Sequence, residues 1–318
     1  MDLELSKCSS AEEWDEFAKT SPQANVFCTS VFLNSMTDDH EGYFVEANGE
    51  KLLGALTFKD KPSPRPFTMY QGVLFADSVA NAKPHTSTSK QMKLLDFLLE
   101  ELEKELPLIS FSLHHSFPDI RSFLWFHYHE REKGMFTVNP RYTGLIDLEN
   151  MGNMEEMLMN IRTVRRQEVR KAEKNEWVVE ESTDISLLDD LHKKTFDRQD
   201  IERPEEHGAL VKSIAESAFK NNYGEMLIAK KDGAVASAVL TLFDDKCAYY
   251  LFGANDPEFR SDACGSILLA NSIQRAKERG LKSFDTVGIN SPARGDYKTS
   301  FNAVPTVYFD VTWNKDAS

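Results

Sequence analysis

The chain is poor in cysteine: four in 318 residues, at positions 8, 28, 247 and 264. None falls in a Cys-x-x-Cys or Cys/His metal spacing, so neither a disulfide framework nor a zinc site is expected. Reduced thiols and a cytoplasmic location are. No apolar run reaches the ~18 residues that a membrane-spanning helix needs. The start, MDLELSKCSS, lacks the basic end and apolar stretch of a leader peptide. Basic residues are outnumbered, 37 against 51, for a net charge of −14. That weighs against a nucleic-acid partner such as tRNA, because phosphate binding leaves a basic footprint. There is no P-loop, GxGxxG, GxSxG or HExxH, so nucleotide hydrolysis, hydride transfer and triad hydrolysis lose ground.

What is present is one unit twice. Tyr43–Phe58 and Leu227–Leu242 are both apolar runs broken by a two-residue turn, Asn48-Gly49 and Asp232-Gly233. Such turns between apolar runs are strong hairpin signals, because both central residues need φ > 0. A helical stretch precedes each hairpin, Ala11–Thr20 and Asp184–Phe196. A short strand ending at glycine follows each, Phe67–Gly72 (overlapping a strand read over Met69–Phe75) and Tyr249–Gly253. Then come a helix and a strand, Lys90–Leu106 with Leu108–Leu113, and Gly265–Arg279 with Leu281–Val287. Apolar content of 41% supports packed cores, and the length suits two domains of about 150 residues. The boundary is expected at Glu149–Asn153, giving domains 1–149 and 150–318. Val26–Met36 reads as one helix, 76–89 as loop, and about 154–175 as one helix. The final strand, Thr306–Trp313, alternates cleanly and can pack back toward the first domain.

Three constellations could carry chemistry. The stretch Asn160–Asn175 holds Arg162, Arg165, Arg166, Arg170, Lys171 and Lys174 in an acidic protein. At about 100° per residue, Arg162, Arg166 and Arg170 share one face. Guanidinium forks there suit phosphates or carboxylates; the plainer reading is a solvated face with salt bridges to Glu168 and Glu173. In Leu281–Phe301 a strand delivers Asp285, then Gly288, and a loop leads to Tyr297-Lys298 and Phe301. Lys298 could neutralise charge on a tetrahedral intermediate or hold a phosphate; otherwise Asp285 caps the loop and Lys298 is a surface lysine. The pairs His114-His115 and His127-x-His129 have no carboxylate or cysteine at a metal spacing. Read as strand residues, His127 and His129 share a face and His114 and His115 face opposite ways, and ordinary packing histidines are expected.

On these residues the chain resembles two GNAT acyltransferase folds in series, similar to the FemABX-type peptidyl and acyl transferases and related tandem-GNAT proteins. The resemblance rests on Arg162–Lys174, Thr195–Gln199 (TFDRQ), Tyr249–Ala254 (YYLFGA), Ile267–Gly280, Phe284-Asp285 with Gly288, and Tyr297-Lys298 with Phe301, beside Asp119–Trp125 and Tyr142–Leu148 in the first half. The last element departs from the family's FK-x-x-F-G, with Tyr297 for Phe and Asn302 for Gly. The diphosphate-loop pattern (Q/R)xxGx(G/A) is not read as intact: Arg260–Gly265 is the nearest stretch, taken as out of spacing.

The resemblance implies an α/β (α+β) protein of two GNAT-like domains, each a mixed, mostly antiparallel sheet flanked by helices. It implies acyl transfer from an activated donor, acetyl-CoA or another acyl-CoA, to an amine on a small, nucleotide-linked or lipid-linked envelope precursor, with a peripheral membrane contact compatible. Lys298 and Asp285 would be catalytic. Arg162, Arg165, Arg166, Arg170, Tyr249, Gln199 and Tyr297 would bind substrate, and Gly253, Ala254 and Gly265 the donor. No metal is implied. An aminoacyl-tRNA-dependent transferase and a non-catalytic binding protein are the alternatives; no long helical arm for tRNA is visible.

Overall fold

The computed structural model describes residues 2–36, 38–59, 61–197 and 204–317. The chain divides into two compact units, Met1–Arg141 with Val307–Ser318, and Tyr142–Thr306. The division falls inside a strand, ahead of the stretch Glu149–Asn153.

The first unit opens with β1 (Glu4–Lys7) and α1 (Ala11–Thr20), whose N-cap Ser10 accepts from the Glu13 N–H. A 3₁₀ turn at Val26–Cys28 and α2 (Ser30–Leu33) follow. The single helix expected over 26–36 is broken because Asn25 and Thr29 each cap their own short turn, accepting from Phe27 and Phe32. The hairpin β2 (His40–Ala47) and β3 (Glu50–Phe58) turns at Asn48 and Gly49, φ +52° and +79°. β4 is only Val73–Phe75. The strand expected over 67–72 does not form, since Phe67 and Tyr70 take left-handed φ of +57° and +56°. The loop expected at 76–89 is instead α3 (Asp77–Ala80) and the start of α4 (Pro84–Glu105). Pro84 opens that helix where a missing N–H costs nothing, and Ser87 ties back to the Val79 carbonyl. β5 (Leu108–Ser112), α5 (Arg121–Trp125) and the first part of β6 (Thr137–Asp147) complete this stretch.

The strands order β1-β2-β3-β4. Trp14 and Phe17 from α1 pack on Phe44, and α4 buries Leu94, Leu95, Leu98, Leu99 and Leu102. Gly54 is required here, because a Cβ would lie 2.6 Å from the Phe17 ring.

In the second unit α6 (Met154–Asn160) and α7 (Thr163–Lys174) replace the single helix expected over 154–175. The break comes where Ile161 turns extended and the Arg162 N–H donates to the Ser300 carbonyl. β7 (Val178–Glu181), α8 (Ile185–Asp197), α9 (Glu205–Lys220) and the hairpin β8 (Gly224–Lys231) with β9 (Ala234–Phe243) follow. The hairpin turns at Asp232 and Gly233, φ +50° and +83°. Next are β10 (Cys247–Asn255), a 3₁₀ turn at Pro257–Asp262, α10 (Cys264–Glu278), β11 (Ser283–Asp285) and α11 (Pro292–Thr299). β12 (Val304–Asn314) is the last strand, followed by a 3₁₀ turn at Lys315–Ala317; its residues from Val307 belong to the first unit, where it pairs antiparallel with β5.

The sheet of the second unit orders β6-β11-β10-β9-β8-β7. β10 and β11 are parallel and joined through α10, whereas β7–β8, β8–β9, β9–β10 and β6–β11 are antiparallel. α10 buries Ile267, Leu268, Leu269 and Ile273 in the core with Phe284, Phe301 and Val169. Among the described residues no helix is long and apolar enough to cross a membrane.

Candidate active site

The parallel pairing of β10 with β11 ends at Tyr249 opposite Asp285. Beyond that pair the strands part. β10 runs on against β9 with a bulge between Tyr250 and Phe252, a device common beside active sites. The other chain turns away through Val287 and Gly288, at φ of +50° and +65°. Lys298 enters the parting from α11. Its Nζ donates to the Val287 carbonyl at 2.5 Å and the Gly288 carbonyl at 3.1 Å, and stands 5.3 Å from the centre of the Tyr250 ring. Only 8% of the residue is exposed. A buried ammonium needs such replacements for water: two carbonyls on one side, a ring face on the other.

Asp285 is fully buried. Its Oδ1 accepts from the Thr143 hydroxyl and, at 2.8 Å, from the Val287 N–H. The carboxylate therefore holds the turn whose carbonyls hold Lys298. Tyr249 faces the interior, with its hydroxyl donating to Asp244 Oδ2 at 2.8 Å. Burial pushes the Tyr249 hydroxyl far above its ordinary value and also raises the Asp244 carboxyl. The structure thus brings Asp285 and Lys298 together and sets the Tyr249 hydroxyl into a buried polar network. Tyr250, the neighbour that meets Lys298, was not singled out in the sequence. The signal lay in strand alternation, which sends adjacent tyrosines to opposite faces.

The arginines are largely matched by carboxylates. Arg162 precedes α7, off the face it was assigned to, and pairs with Asp296 at 2.7 Å; Arg170 pairs with Glu155 at 2.5 Å. Arg166 reaches the sulfur of Met159 at 3.4 Å. Arg165 grips Glu168 with two hydrogen bonds of 2.7 and 2.6 Å, donates to Ser300 Oγ at 2.9 Å and lies 4.8 Å over the Tyr297 ring. Glu168 in turn accepts from Ser266 Oγ at 2.5 Å. Burial raises the Tyr297 hydroxyl to about 12. Arg165 and Tyr297 thereby tie α7 and α10 to α11, the helix that carries Lys298.

The start of α10 corrects the sequence reading. Arg260-Ser-Asp-Ala-Cys-Gly265 has the spacing of (Q/R)xxGx(G/A) after all, with Ala263 in the place of the first glycine. Ala263 takes the left-handed φ of +59° and leads into the helix. Gly265 lies against the side chain of Asn255; a Cβ there would come 2.7 Å from Asn255 Oδ1. At Gly253 a Cβ would meet the Tyr250 hydroxyl at 2.0 Å, while Ala254 is buried. A bare glycine in the first turn, backbone N–H groups at the helix start and the exposed Arg260 fit a diphosphate.

Residues 159–299 match the acetyltransferase (GNAT) domain family. The solved structure of FemX is similar over 98% of this chain and 97% of that one, with a TM-score of 0.70 and 16% identity. A tandem GNAT protein from the clavulanic acid biosynthesis pathway covers 99% of both chains, with a TM-score of 0.57 and 11% identity. This chain has a tandem GNAT fold. The C-terminal domain of a putative lysylphosphatidylglycerol synthetase from Agrobacterium fabrum shares that architecture over 97% of this chain and 94% of its own, with a TM-score of 0.51 and 10% identity. No curated protein sequence matches the chain.

The segment matching the GNAT domain contains Tyr250, the Arg260–Gly265 loop, Asp285, Val287 and Lys298. Gln199 lies outside the described residues. The histidine pairs belong to the other unit and do not lie on strands. The ring centroids of His114 and His115 lie 4.1 Å apart with the planes tilted by 35°, and His127 has a left-handed φ of +53° and bonds the Gly134 carbonyl. Among the described residues no cluster of His, Cys, Asp and Glu could hold a metal ion.

Proposed function

We propose that this protein is an N-acyltransferase that moves an acyl group from coenzyme A to an amine on a cell-envelope precursor such as an amino sugar. The observation that carries the reading is Lys298, a buried ammonium fixed where β10 and β11 part. Arg260 and the backbone N–H groups of Cys264 and Gly265 would hold the diphosphate of the donor. When bound, acyl-CoA supplies a thioester carbonyl that an amine attacks directly.

Lys298 presents fixed positive charge to the carbonyl oxygen as that oxygen becomes negative. A preorganised charge in a water-poor site is worth most at that moment. Tyr250 and the Val287 and Gly288 carbonyls keep the ammonium in place. Asp285 acts behind them: fully buried, it holds the turn, and we assign it a positioning role. Arg165 and Tyr297 fix α11 from the other side. Most of the remaining rate comes from bringing amine and thioester together in the right orientation.

The test is release of free thiol from acetyl-CoA in the presence of a panel of amino sugars and nucleotide-linked amino sugars. Turnover is expected with at least one acceptor, and Lys298→Ala should lower it by about 10²–10³. No thiol release with any acceptor, across acetyl and longer acyl-CoAs, would remove this reading.

A further inference from the structure

The turn after β11 holds an unusual residue. Val287 sits at φ +50°, a left-handed conformation that β-branched side chains rarely adopt and that carries strain. Glycine follows at φ +65°, so two successive left-handed residues interrupt the strand, while the Thr286 and Ile289 N–H groups on either side still donate to the Gly144 and Tyr142 carbonyls of β6. The consequence is local. The carbonyls of these two residues, Val287 and Gly288, are the ones that accept from Lys298 Nζ. The turn is braced from three directions. Asp285 Oδ1 accepts from the Val287 N–H, the Ile289 N–H donates to the Tyr142 carbonyl at 3.0 Å, and Asn290 bonds both the N–H and the carbonyl of Tyr142. Thr143, the next residue of β6, holds Asp285 itself.

We propose that the left-handed turn at Val287-Gly288 is a positioning device that fixes the Lys298 ammonium at the parting of β10 and β11. The proposal rests on the reading of Lys298 given above, and it makes Val287 a positioning residue for that lysine. Strained backbone persists only where its surroundings over-determine it, and it concentrates at sites where geometry is used. Here the surroundings are Asp285, Thr143 and the Tyr142 backbone, and the use is two carbonyl oxygens aimed at one ammonium. Valine has no preference of its own for this conformation, so the bonds to its neighbours are what hold it.

The test separates conformation from side chain. Val287→Gly keeps the left-handed turn, since glycine adopts it freely. Val287→Pro fixes φ near −65° and removes the N–H that Asp285 accepts. Gly288→Val is the third variant: a Cβ there has only Asn290 Nδ2 nearby, at 3.7 Å, so it fits in space but resists the left-handed φ. The readout is the lysine ammonium region of ¹H–¹⁵N spectra on protein labelled at lysine Nζ, with Lys298→Met to assign the signal. A buried, doubly bonded ammonium exchanges slowly and gives a visible resonance. We expect it in the native protein and in Val287→Gly, and its loss in Val287→Pro and Gly288→Val with the circular dichroism of the fold intact. Retention of the signal in a folded Val287→Pro or Gly288→Val, or its loss in Val287→Gly, would overturn the proposal. Should the proline variant not fold, Gly288→Val decides alone. Thiol release from acetyl-CoA is measured on the same variants. If the resonance behaves as expected while no variant and no native protein turns over, the positioning device stands and the acyltransfer reading falls.

Discussion

Lys298 and Tyr250 meet across the parting of β10 and β11, with the ammonium 5.3 Å from the ring centroid. The contact joins a helix that follows the parallel strand pair to the bulge of the strand that precedes it. A cation over an aromatic face contributes about 0.5–2 kcal/mol. If the contact holds the catalytic ammonium, Tyr250→Leu should lower kcat/KM by roughly two- to thirtyfold, while Tyr250→Phe keeps the ring and stays close to the native rate. Steady-state kinetics on the two variants checks this. An equal loss in both would shift the role from the ring face to the hydroxyl.

The loop into α10 makes a paired prediction. Ala263 holds a conformation that costs a non-glycine residue roughly 1 kcal/mol or more. Ala263→Gly should therefore raise the melting temperature by a few degrees and leave donor binding unchanged. Gly265→Leu should do the opposite, driving a side chain toward Asn255 and across the first turn of the helix. Calorimetry should show donor affinity at least about tenfold weaker, a loss of roughly 1.4 kcal/mol.

Arg165 ties three helices together through Glu168, Ser300 and the Tyr297 ring. Arg165→Met removes the fork and leaves Glu168 half-buried without its cation. The cost to folding should be about 1–3 kcal/mol, read as a shift of the urea midpoint. Because α11 carries Lys298, kcat should fall as well, and more steeply than KM rises.

Glu225 should contribute to acid stability in the second unit. Its side chain is 3% exposed. Burial pushes its carboxyl up, but the guanidinium groups of Arg275 and Arg279 outweigh that and hold it below the ordinary 4.5. The folded value is the depressed one. The stabilisation is therefore complete above about pH 4.5 and is lost as pH falls through the folded value. Glu225→Gln should flatten this acid limb in denaturation curves recorded from pH 7 downward. At neutral pH it should cost about 1–2 kcal/mol, because the two arginines left behind are partly exposed and Arg275 keeps Glu181.

The features legible in the sequence were those set by local chemistry. The Asn48-Gly49 and Asp232-Gly233 turns, the Ser10 cap and the apolar period of α4 each follow from neighbours in the chain, and each appears in the structure. Lys298 and Asp285 stood out because a strand delivers one and a loop leads to the other. The bonds that define the site were not legible, since they join distant segments. Thr143 reaches Asp285 across the sheet, and Arg165 reaches Ser300 between helices. The left-handed Val287 runs against the preference of its own side chain, so no propensity could have announced it. Arg260–Gly265 was taken as out of spacing, although its spacing fits once alanine stands where the pattern asks for glycine; only the backbone shows that Ala263 takes glycine's left-handed conformation.

The most direct measurement is calorimetric titration of the purified protein with acetyl-CoA and longer acyl-CoAs, repeated on Gly265→Leu. The account predicts saturable binding, with a Kd on the order of micromolar, that weakens sharply in the variant. Absence of binding across the whole panel would contradict a coenzyme A donor, and charged tRNA would then be the donor to titrate.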